Sequence, residues 1–584
     1  MNPRDQNNIS YSHPPRVRME YTVRTMSRKI KVEIPFVIGV IADLAGRSRF
    51  DDGTLLDRTL LDINQDNFAQ CMNAVSPQVN FSVPNLMVGK GEIRVDLTFE
   101  SMDDFHPMAV VKEIPELRNW INSLEQTSDQ NGGSALKRYF VKLGISSAVR
   151  DEIDLIAPDE GFSAQLNMIL HHSDFRKLEG SWRGLYYLVQ NTPVSDKIRI
   201  RVLPVSRREL YRQARLYSGS DFDQSALFRH FWSDPYGQIG ADPFGCLIGD
   251  FSFDHSQPDL EILQLMMCIA ERANAPFWAA LAPGFLHLES WNELGVPNDT
   301  DLRSSEYDGW HHLRDDIRSR YLGLTMPRFL ARSPYGNGKQ RKEVEEFPFE
   351  EDINDRGTER FVWSNSAFLL GVITARAFQE SCWFARIGGI DSGGLIEGLP
   401  GFAFPSDDGR VHQNCPVEIG LSDRREAELS RMGIIPFMNR KNSDFVAIIS
   451  ASSLHQPGLS EDDERYAQAI NSTRFRYSLN LCRFVLYLKC IARDRSASFN
   501  NTVELEQYLN EWLQGYVDSD PRNSNLTEQA LRPLVAGSLE FMDEPGAGEP
   551  VKVRLHGTPN YLIESFFDPM HMDFCLPTGF EDKL

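Results

Sequence analysis

Two kinds of periodicity run along the chain. Between Arg16 and Arg24, the residues Val17, Met19, Tyr21 and Val23 alternate with Arg16, Arg18, Glu20, Thr22 and Arg24, and Ile30, Val32 and Ile34 alternate in the same way with Lys29, Lys31 and Glu33. A period of two puts one set on each face of an extended chain, so these stretches predict strands. The apolar run PFVIGVIADLAG (Pro35 to Gly46) predicts a buried strand, Asp66 to Val75 a short helix, Glu92 to Phe99 another strand, and SMDDF the start of a helical run to about Leu124. Further on, Ile198 to Val205, Phe244 to Phe251 and Phe445 to Ala451 read as strands, and Leu260 to Asn274, Phe361 to Arg386, Asp462 to Arg493 and Thr502 to Val517 as helices. Strand-like stretches follow near Leu539 to Met542, Val551 to Leu555 and Tyr561 to Phe567. Both element types in mixed order predict an α/β (mixed α+β) protein, with mixed β-sheets flanked by helices and an N-terminal strand arm.

One stretch invites a chemical reading. HHSDFRKLEGSWRGL (His171 to Leu185) packs two histidines, an aspartate and a glutamate into nine residues. With Ser173 as N-cap and Asp174 in the first turn, Phe175, Leu178, Trp182, Leu185 and Val189 form one apolar stripe that Tyr186 joins, and Glu179 and Arg183 pair at its edge with i, i+4 spacing. Consecutive histidines diverge by about 100° on a helix and cannot hold one ion together, and the H-E-x-x-H spacing is absent. Packing and capping are therefore expected. A metal-dependent enzyme using His171, His172, Asp174 and Glu179 is the alternative from a different class.

Composition narrows the function classes. A chain of 584 residues with 41% hydrophobic content can fill about three or four folding units of roughly 150 residues each. Its formal charge of −21 argues against nucleic acid or an anionic membrane as a general partner, since phosphate binding needs clustered Lys and Arg. The arm is the exception. From Pro14 to Val32, Arg16, Arg18, Arg24, Arg28, Lys29 and Lys31 stand against Glu20 alone, which suits an acidic protein surface, including another copy of the same chain. Eight cysteines with no C-x-x-C pair fit reduced thiols. Residues 1–15 lack an apolar signal core, and no apolar run approaches the ~20 residues that cross a bilayer, so a soluble cytoplasmic protein without membrane insertion is expected. The polar, Gly/Ser-rich SLEQTSDQNGGSA (Ser123 to Ala135) is the clearest linker.

The remaining candidates are structural. GGIDSGGLIEGLPG (Gly388 to Gly401) lacks the Lys-Ser/Thr of a phosphate loop and predicts a loop in glycine-only conformations. The acidic run EVEEFPFEEDIND (Glu343 to Asp355) has no calcium-loop spacing and reads as a solvated face or a dock for a basic partner. No nucleophile, base and acid constellation and no metal tetrad stands out among the 13 histidines, so no enzyme, cofactor or metal is expected. The basic strands of the arm carry unpaired backbone groups along their edges. They either pair within their own domain or are lent to the sheet of another copy, and the pattern leaves both open.

At this point the residues resemble a known family. PFVIGVIADLAG, LLDINQDNFAQCM and VDLTFESMDDFHPMAVV are similar to the small sheath subunit of bacterial type VI secretion systems (TssB, also VipA). The blocks ILHHSDFRKLEGSWRGLYYLV, YLGLTMPRFLARSPYG, EEFPFEED, FVWSNSAFLLG, IGGIDSGGLIEGLPGF and CPVEIGLSDRREAELSRMGIIPF follow in the order of the large subunit (TssC, VipB). The resemblance implies an organisation of a basic strand arm at 1–33, a small-subunit-like domain at 34–124, a linker at 125–149 and a large-subunit-like region at 150–584. About 495–584 is then the part that faces an inner tube and exchanges strands.

It further implies a contractile sheath, a helical polymer of the chain itself that surrounds an Hcp-like inner tube, meets baseplate proteins and contracts to propel the tube. The sheath of another contractile injection system is the nearest alternative. Val17, Met19, Tyr21, Val23, Ile30, Val32 and Ile34 become the inter-protomer strand, and Glu504, Glu506 and Glu511 the contact to the tube. Phe175, Leu178, Glu179, Trp182 and Arg183 become a structural hallmark helix. Two departures stand out. The subunits are ordinarily separate chains, and the small-subunit part lacks its usual C-terminal helical extension unless Ala135 to Val149 substitutes for it. A ClpV-type unfoldase ordinarily grips the free N-terminal region of the large subunit, which here is internal to the chain.

Overall fold

The structure is a computed structural model that describes residues 16–577 apart from 25–28, 47–54, 88–89, 120–159, 296–301, 303, 337–348, 350, 354–359, 385, 402, 406–410, 414, 440–442, 459–468, 496–498, 500–501, 519, 521–530, 543–550 and 560–569. In chain order the first ten strands used below are β1 (Tyr21–Arg24), β2 (Lys29–Val32), β3 (Phe36–Ala42), β4 (Leu61–Ile63), β5 (Gln78–Pro84), β6 (Glu92–Thr98), β7 (Ile198–Pro204), β8 (Phe244–Phe253), β9 (Phe277–Leu281) and β10 (Leu322–Met326). The main helices are α1 (Ser173–Asn191), α2 (Gln257–Ala273), α3 (Ala367–Ser381), α4 (Phe475–Arg495) and α5 (Thr502–Gln514).

A nine-stranded sheet organises the molecule. From one edge its order is Leu395–Ile396, Val446–Ile448, Ile434–Asn439, β10, β9, β8, β3, β7 and β4. Every pairing from Ile434–Asn439 through β7 is parallel, and only the outer strands run antiparallel. Parallel strands require cover on both faces. The sequence supplies it, because successive side chains of β3 enter different cores: Val37 and Ile41 face one, and Phe36, Ile38, Val40 and Ala42 the other. On the first face lie α2 and most of α4; on the second lie α1, α3 and the β5–β6 hairpin, whose Val79, Phe81, Val83, Ile93, Val95 and Leu97 point inward at period two. A separate antiparallel meander of Leu534–Met542, Lys552–Pro559 and Met570–Cys575 packs its inward side chains on the α4 face.

This topology joins the small- and large-subunit-like segments through one sheet. β3, from the small-subunit-like segment, is an interior strand between β7 and β8, so described residues of the 34–124 segment share both hydrophobic cores with the large-subunit-like region. An interior parallel strand cannot satisfy its backbone without both neighbours. Among the described residues the apolar side chains gather in two cores on the two faces of this sheet. The linker Ser123 to Ala135, and the rest of 125–149, lie outside the described residues.

Other differences are local. The apolar run Phe361 to Arg386 is helical only over Ala367–Ser381: Trp363–Ser364 pairs with Phe329–Leu330, and Cys382 ends the helix in the left-handed region at φ 55°. Strands β5, β9 and β10 went unpredicted: β5 does alternate, with Val79, Phe81 and Val83 inward, whereas β9 and β10 are five-residue runs buried on both faces. Tyr561 to Phe567 lies outside the described residues, and the third strand of the meander is Met570–Cys575.

Candidate assembly site

Helix α1 forms as its stripe demands, with a different cap. Its N-cap is His172 and not Ser173: the His172 Nδ1 accepts from the Asp174 N–H at 3.3 Å while the ring stacks on Phe81 with centroids 3.7 Å apart. Phe175, Leu178, Trp182, Leu185 and Val189 are all buried, whereas Tyr186 lies at the margin, 40% exposed with its edge on Phe68. The Trp182 Nε1–H donates to the Leu44 carbonyl at 2.9 Å, tying the hallmark helix to the loop after β3. Gly180 and Gly184, costly inside a helix, have a packing reason: a Cβ would come within 2.4 Å of the Trp363 carbonyl oxygen and 2.6 Å of the Phe368 ring.

Glu179 is where sequence reasoning fell short. Its side chain is fully buried rather than at a solvated edge, and Oε1 accepts from Arg183 Nε and from Arg332 Nε, both at 2.7 Å. Arg332 continues to Glu351, with Nη1 at 2.7 Å from Oε2 and Nη2 at 3.1 Å from Oε1, and stacks over the Tyr335 ring at 4.1 Å. Glu351 also accepts from the Tyr335 N–H at 2.9 Å and lies 3.1 Å from His171 Nε2. Burial by itself would raise the Glu351 carboxyl, but the Arg332 guanidinium, with the His171 and Tyr335 hydrogen bonds, outweighs it and holds the group at about 2. The acidic run is therefore not all solvated face: Phe349 and Glu351 are interior, and this cluster binds HHSDFRKLEG, LTMPRFLARSPYG and EEFPFEED into one core. Arg332, Tyr335 and Glu351 went unnoticed as a set. The available signal was an arginine inside an otherwise apolar run opposite an unusual density of acids. Among the described residues His171, His172, Asp174 and Glu179 do not converge as a metal-ligating group: His171 faces Glu351, His172 caps α1, and Glu179 is bonded to Arg183 and Arg332.

The glycine-rich loop behaves as its composition requires. Gly389, Gly393 and Gly398 all take positive φ, and at Gly393 a Cβ would stand 2.3 Å from the Arg386 carbonyl oxygen.

The arm lies on the chain's own C-terminal helices. Val17, Met19, Tyr21 and Ile34 are buried, Val23 and Val32 half-buried, and Ile30 is 50% exposed. α4 and α5 hold the arm mainly by its backbone. The Tyr487 hydroxyl donates to the Met19 carbonyl at 2.7 Å and accepts from the Ile34 N–H at 3.0 Å; burial pushes this phenol up to about 12. The Tyr516 hydroxyl accepts from the Glu20 N–H and Trp512 Nε1–H donates to its carbonyl, each at 3.0 Å, and the Tyr21 hydroxyl donates to Asp494 at 2.5 Å. Strands β1 and β2 pair antiparallel with each other, and among the described residues neither has a third strand on its outer edge. In α5, Leu505, Leu509 and Leu513 face the core while Glu504 and Glu511 are exposed and Glu506 is half-buried.

The two segments thus interlock in one sheet, with the arm docked on α4 and α5 and the acidic residues of α5 turned away from the core. Residues 9–152 match the family described as type VI secretion system, VipA, VC_A0107 or Hcp2; residues 153–455 match EvpB/VC_A0108, tail sheath N-terminal domain; residues 464–574 match EvpB/VC_A0108, tail sheath gpW/gp25-like domain. The chain belongs to the type VI secretion tail-sheath family and carries its VipA and VipB parts in one polypeptide. Over 429 residues it is 43% identical to the type VI secretion system sheath protein TssC1 of Pseudomonas aeruginosa, covering 73% of this chain and 86% of that protein. Over 121 residues it is 40% identical to the sheath protein TssB1 of the same organism, covering 21% of this chain and 70% of that protein. A solved baseplate of the anti-feeding prophage aligns over 66% of this chain and 80% of its own with a TM-score of 0.32 and 10% identity, a likeness too slight to bear on function. No helix among the described residues is long and apolar enough to cross a membrane.

Proposed function

We propose that this chain is a small-plus-large repeating unit of a type VI secretion sheath, which polymerises in the cytoplasm around an Hcp-like inner tube, starting from baseplate proteins, and contracts to propel the tube. The observation that supports this reading is the place of β3: the VipA-like segment supplies an interior strand of the VipB-like sheet, so the two parts act as one body and fusion fixes them at one to one. Fusion replaces a bimolecular encounter by an intramolecular one and removes the concentration dependence of that step.

The arm is the element that links protomers. Its own docking uses Tyr487, Tyr516 and Trp512 side chains against the backbone, and among the described residues no strand pairs with the outer edges of β1 and β2, which suits them to join a strand of the next copy. A flexible strand link keeps copies joined while rigid bodies rotate. The exposed Glu504 and Glu511 of α5, with the half-buried Glu506, meet the tube. The work is mechanical, with no catalytic residue or cofactor assigned, and any recycling by a ClpV-type unfoldase must engage an internal segment.

Negative-stain electron microscopy of the purified chain, alone and with its tube protein, tests this. Ribbed tubes in the presence of the tube protein are expected, and a chain lacking residues 1–24 is expected to remain folded without extending into tubes. Small single particles under both conditions sink the sheath reading, while long tubes from the shortened chain sink the role of the arm alone.

A further inference from the structure

The thirteen histidines show no metal spacing along the sequence, but the fold brings two of them to one carboxylate. His255 follows β8, His287 ends the short helix Pro283–Leu286, and Glu306 lies in the short helix Ser305–Tyr307. One donor atom from each lies within 4.8 Å of the others, the one such group of metal-ligating side chains among the described residues. His287 Nε2 is 3.4 Å from Glu306 Oε2, and the His255 and His287 rings stand 5.1 Å apart at 76°. Around one zinc ion, with bonds of about 2.0–2.2 Å, three such donors sit roughly 3.5 Å from one another, so closing the set takes about 1 Å of side-chain movement.

The backbone under each residue is anchored. Phe253, Phe285 and Tyr307 are buried next to or near His255, His287 and Glu306 in the chain, and the Tyr307 hydroxyl donates to the Phe285 carbonyl at 2.7 Å. His255 is wedged against Tyr307 with centroids 4.6 Å apart, and its Nδ1 is shielded from solvent with no hydrogen-bond partner among the described residues. A shielded ring nitrogen without a partner is unfavourable, and a bound cation would satisfy it. His287 takes the left-handed conformation at φ 57°, unusual for a non-glycine residue, which aims its ring at Glu306. The side chains that must move, His287 and Glu306, are the exposed ones, at 54% and 65%.

We propose that His255, His287 and Glu306 form a binding site for a divalent first-row transition metal of the zinc type. Two imidazoles and one carboxylate match that chemistry and not calcium or magnesium, which prefer all-oxygen sets. Three protein ligands leave a fourth position for water or for a side chain of a neighbouring copy. The ion clips the loop after β8 to two later turns, and this site stands independently of the sheath assignment.

The test uses the full chain, stripped with a chelator and titrated with Zn2+ against a chromophoric competitor and with Co2+ for its visible spectrum. About one equivalent of zinc, a rise in thermal midpoint, and a cobalt ligand-field band without thiolate charge transfer are expected. His287→Ala and Glu306→Gln, both exposed and so harmless to folding by circular dichroism, should each weaken binding at least ~10-fold, since even supporting groups around a metal are worth that much. Sub-stoichiometric zinc, unchanged affinity in both variants, or a thiolate band from the free cysteines overturns the proposal.

Discussion

Replacing Arg332 by methionine isolates the buried ion cluster. The guanidinium touches two carboxylates that are almost wholly excluded from water, with Glu179 at 0% and Glu351 at 2% side-chain exposure. Arg332→Met keeps most of the volume and removes the group that, among the described residues, bonds to both. Taking one partner from a buried pair costs about 3–5 kcal/mol, because the remaining charges stay desolvated. Arg183 still reaches Glu179, and His171 still faces Glu351, so the lower half of that range is expected. Urea denaturation at pH 7, followed by tryptophan fluorescence, measures it: the midpoint falls with little change in slope. An internal control is the triple change Glu179→Met, Arg332→Met, Glu351→Met, which leaves no uncompensated carboxylate and should recover most of the loss.

The same cluster sets a pH dependence. Glu351 is held at about 2, below its ordinary carboxylate value of 4.5, so its contribution is fully present above about 4.5 and is lost as pH falls towards 2. In magnitude it is on the order of 3 kcal/mol. Arg332→Met removes the main cause of that depression, so the acid-dependent loss should shrink in the variant. If the variant lies within about 1 kcal/mol of the parent at pH 7, or loses stability in acid just as steeply, the cluster is not what holds these three segments together.

Further outcomes follow from single positions. Gly393→Ala places a Cβ against the Arg386 carbonyl in a left-handed backbone and should cost about 1–3 kcal/mol by thermal or urea unfolding; a neutral result contradicts the loop geometry. Trp182→Ala empties a buried site and orphans the Leu44 carbonyl, so about 3–5 kcal/mol is expected, against well under 1 for the exposed Val194→Ala. Tyr21→Phe keeps the edge contact to Tyr487 and loses only the bond to Asp494, so about 1–2 kcal/mol and faster proteolysis of the arm are expected; unchanged cleavage rates indicate that the arm is not docked in this way.

Local chemistry was legible wherever it depends on neighbours in the chain. The alternation at Val17 to Val23 gave the inward face of the arm, the stripe from Phe175 to Val189 gave α1, and the Glu179–Arg183 spacing gave a real ion pair, because helical and extended geometry are set by residues a few positions apart. The six ordered blocks also carried the family. Strands β9 and β10 were not legible, since five-residue apolar runs buried on both faces have no period to betray them.

Sequence by itself therefore determined the helices with an apolar stripe, the alternating strands, the glycine loop and the membership of a sheath family. Only the tertiary structure decided that β3 lies between β7 and β8, that Arg332 bridges Glu179 and Glu351, and that His255, His287 and Glu306 converge. The physical reason is the same in each case. Parallel pairing, burial of charge and convergence of ligands are contacts between residues far apart in the chain, and their energy depends on which surfaces the whole sheet removes from water.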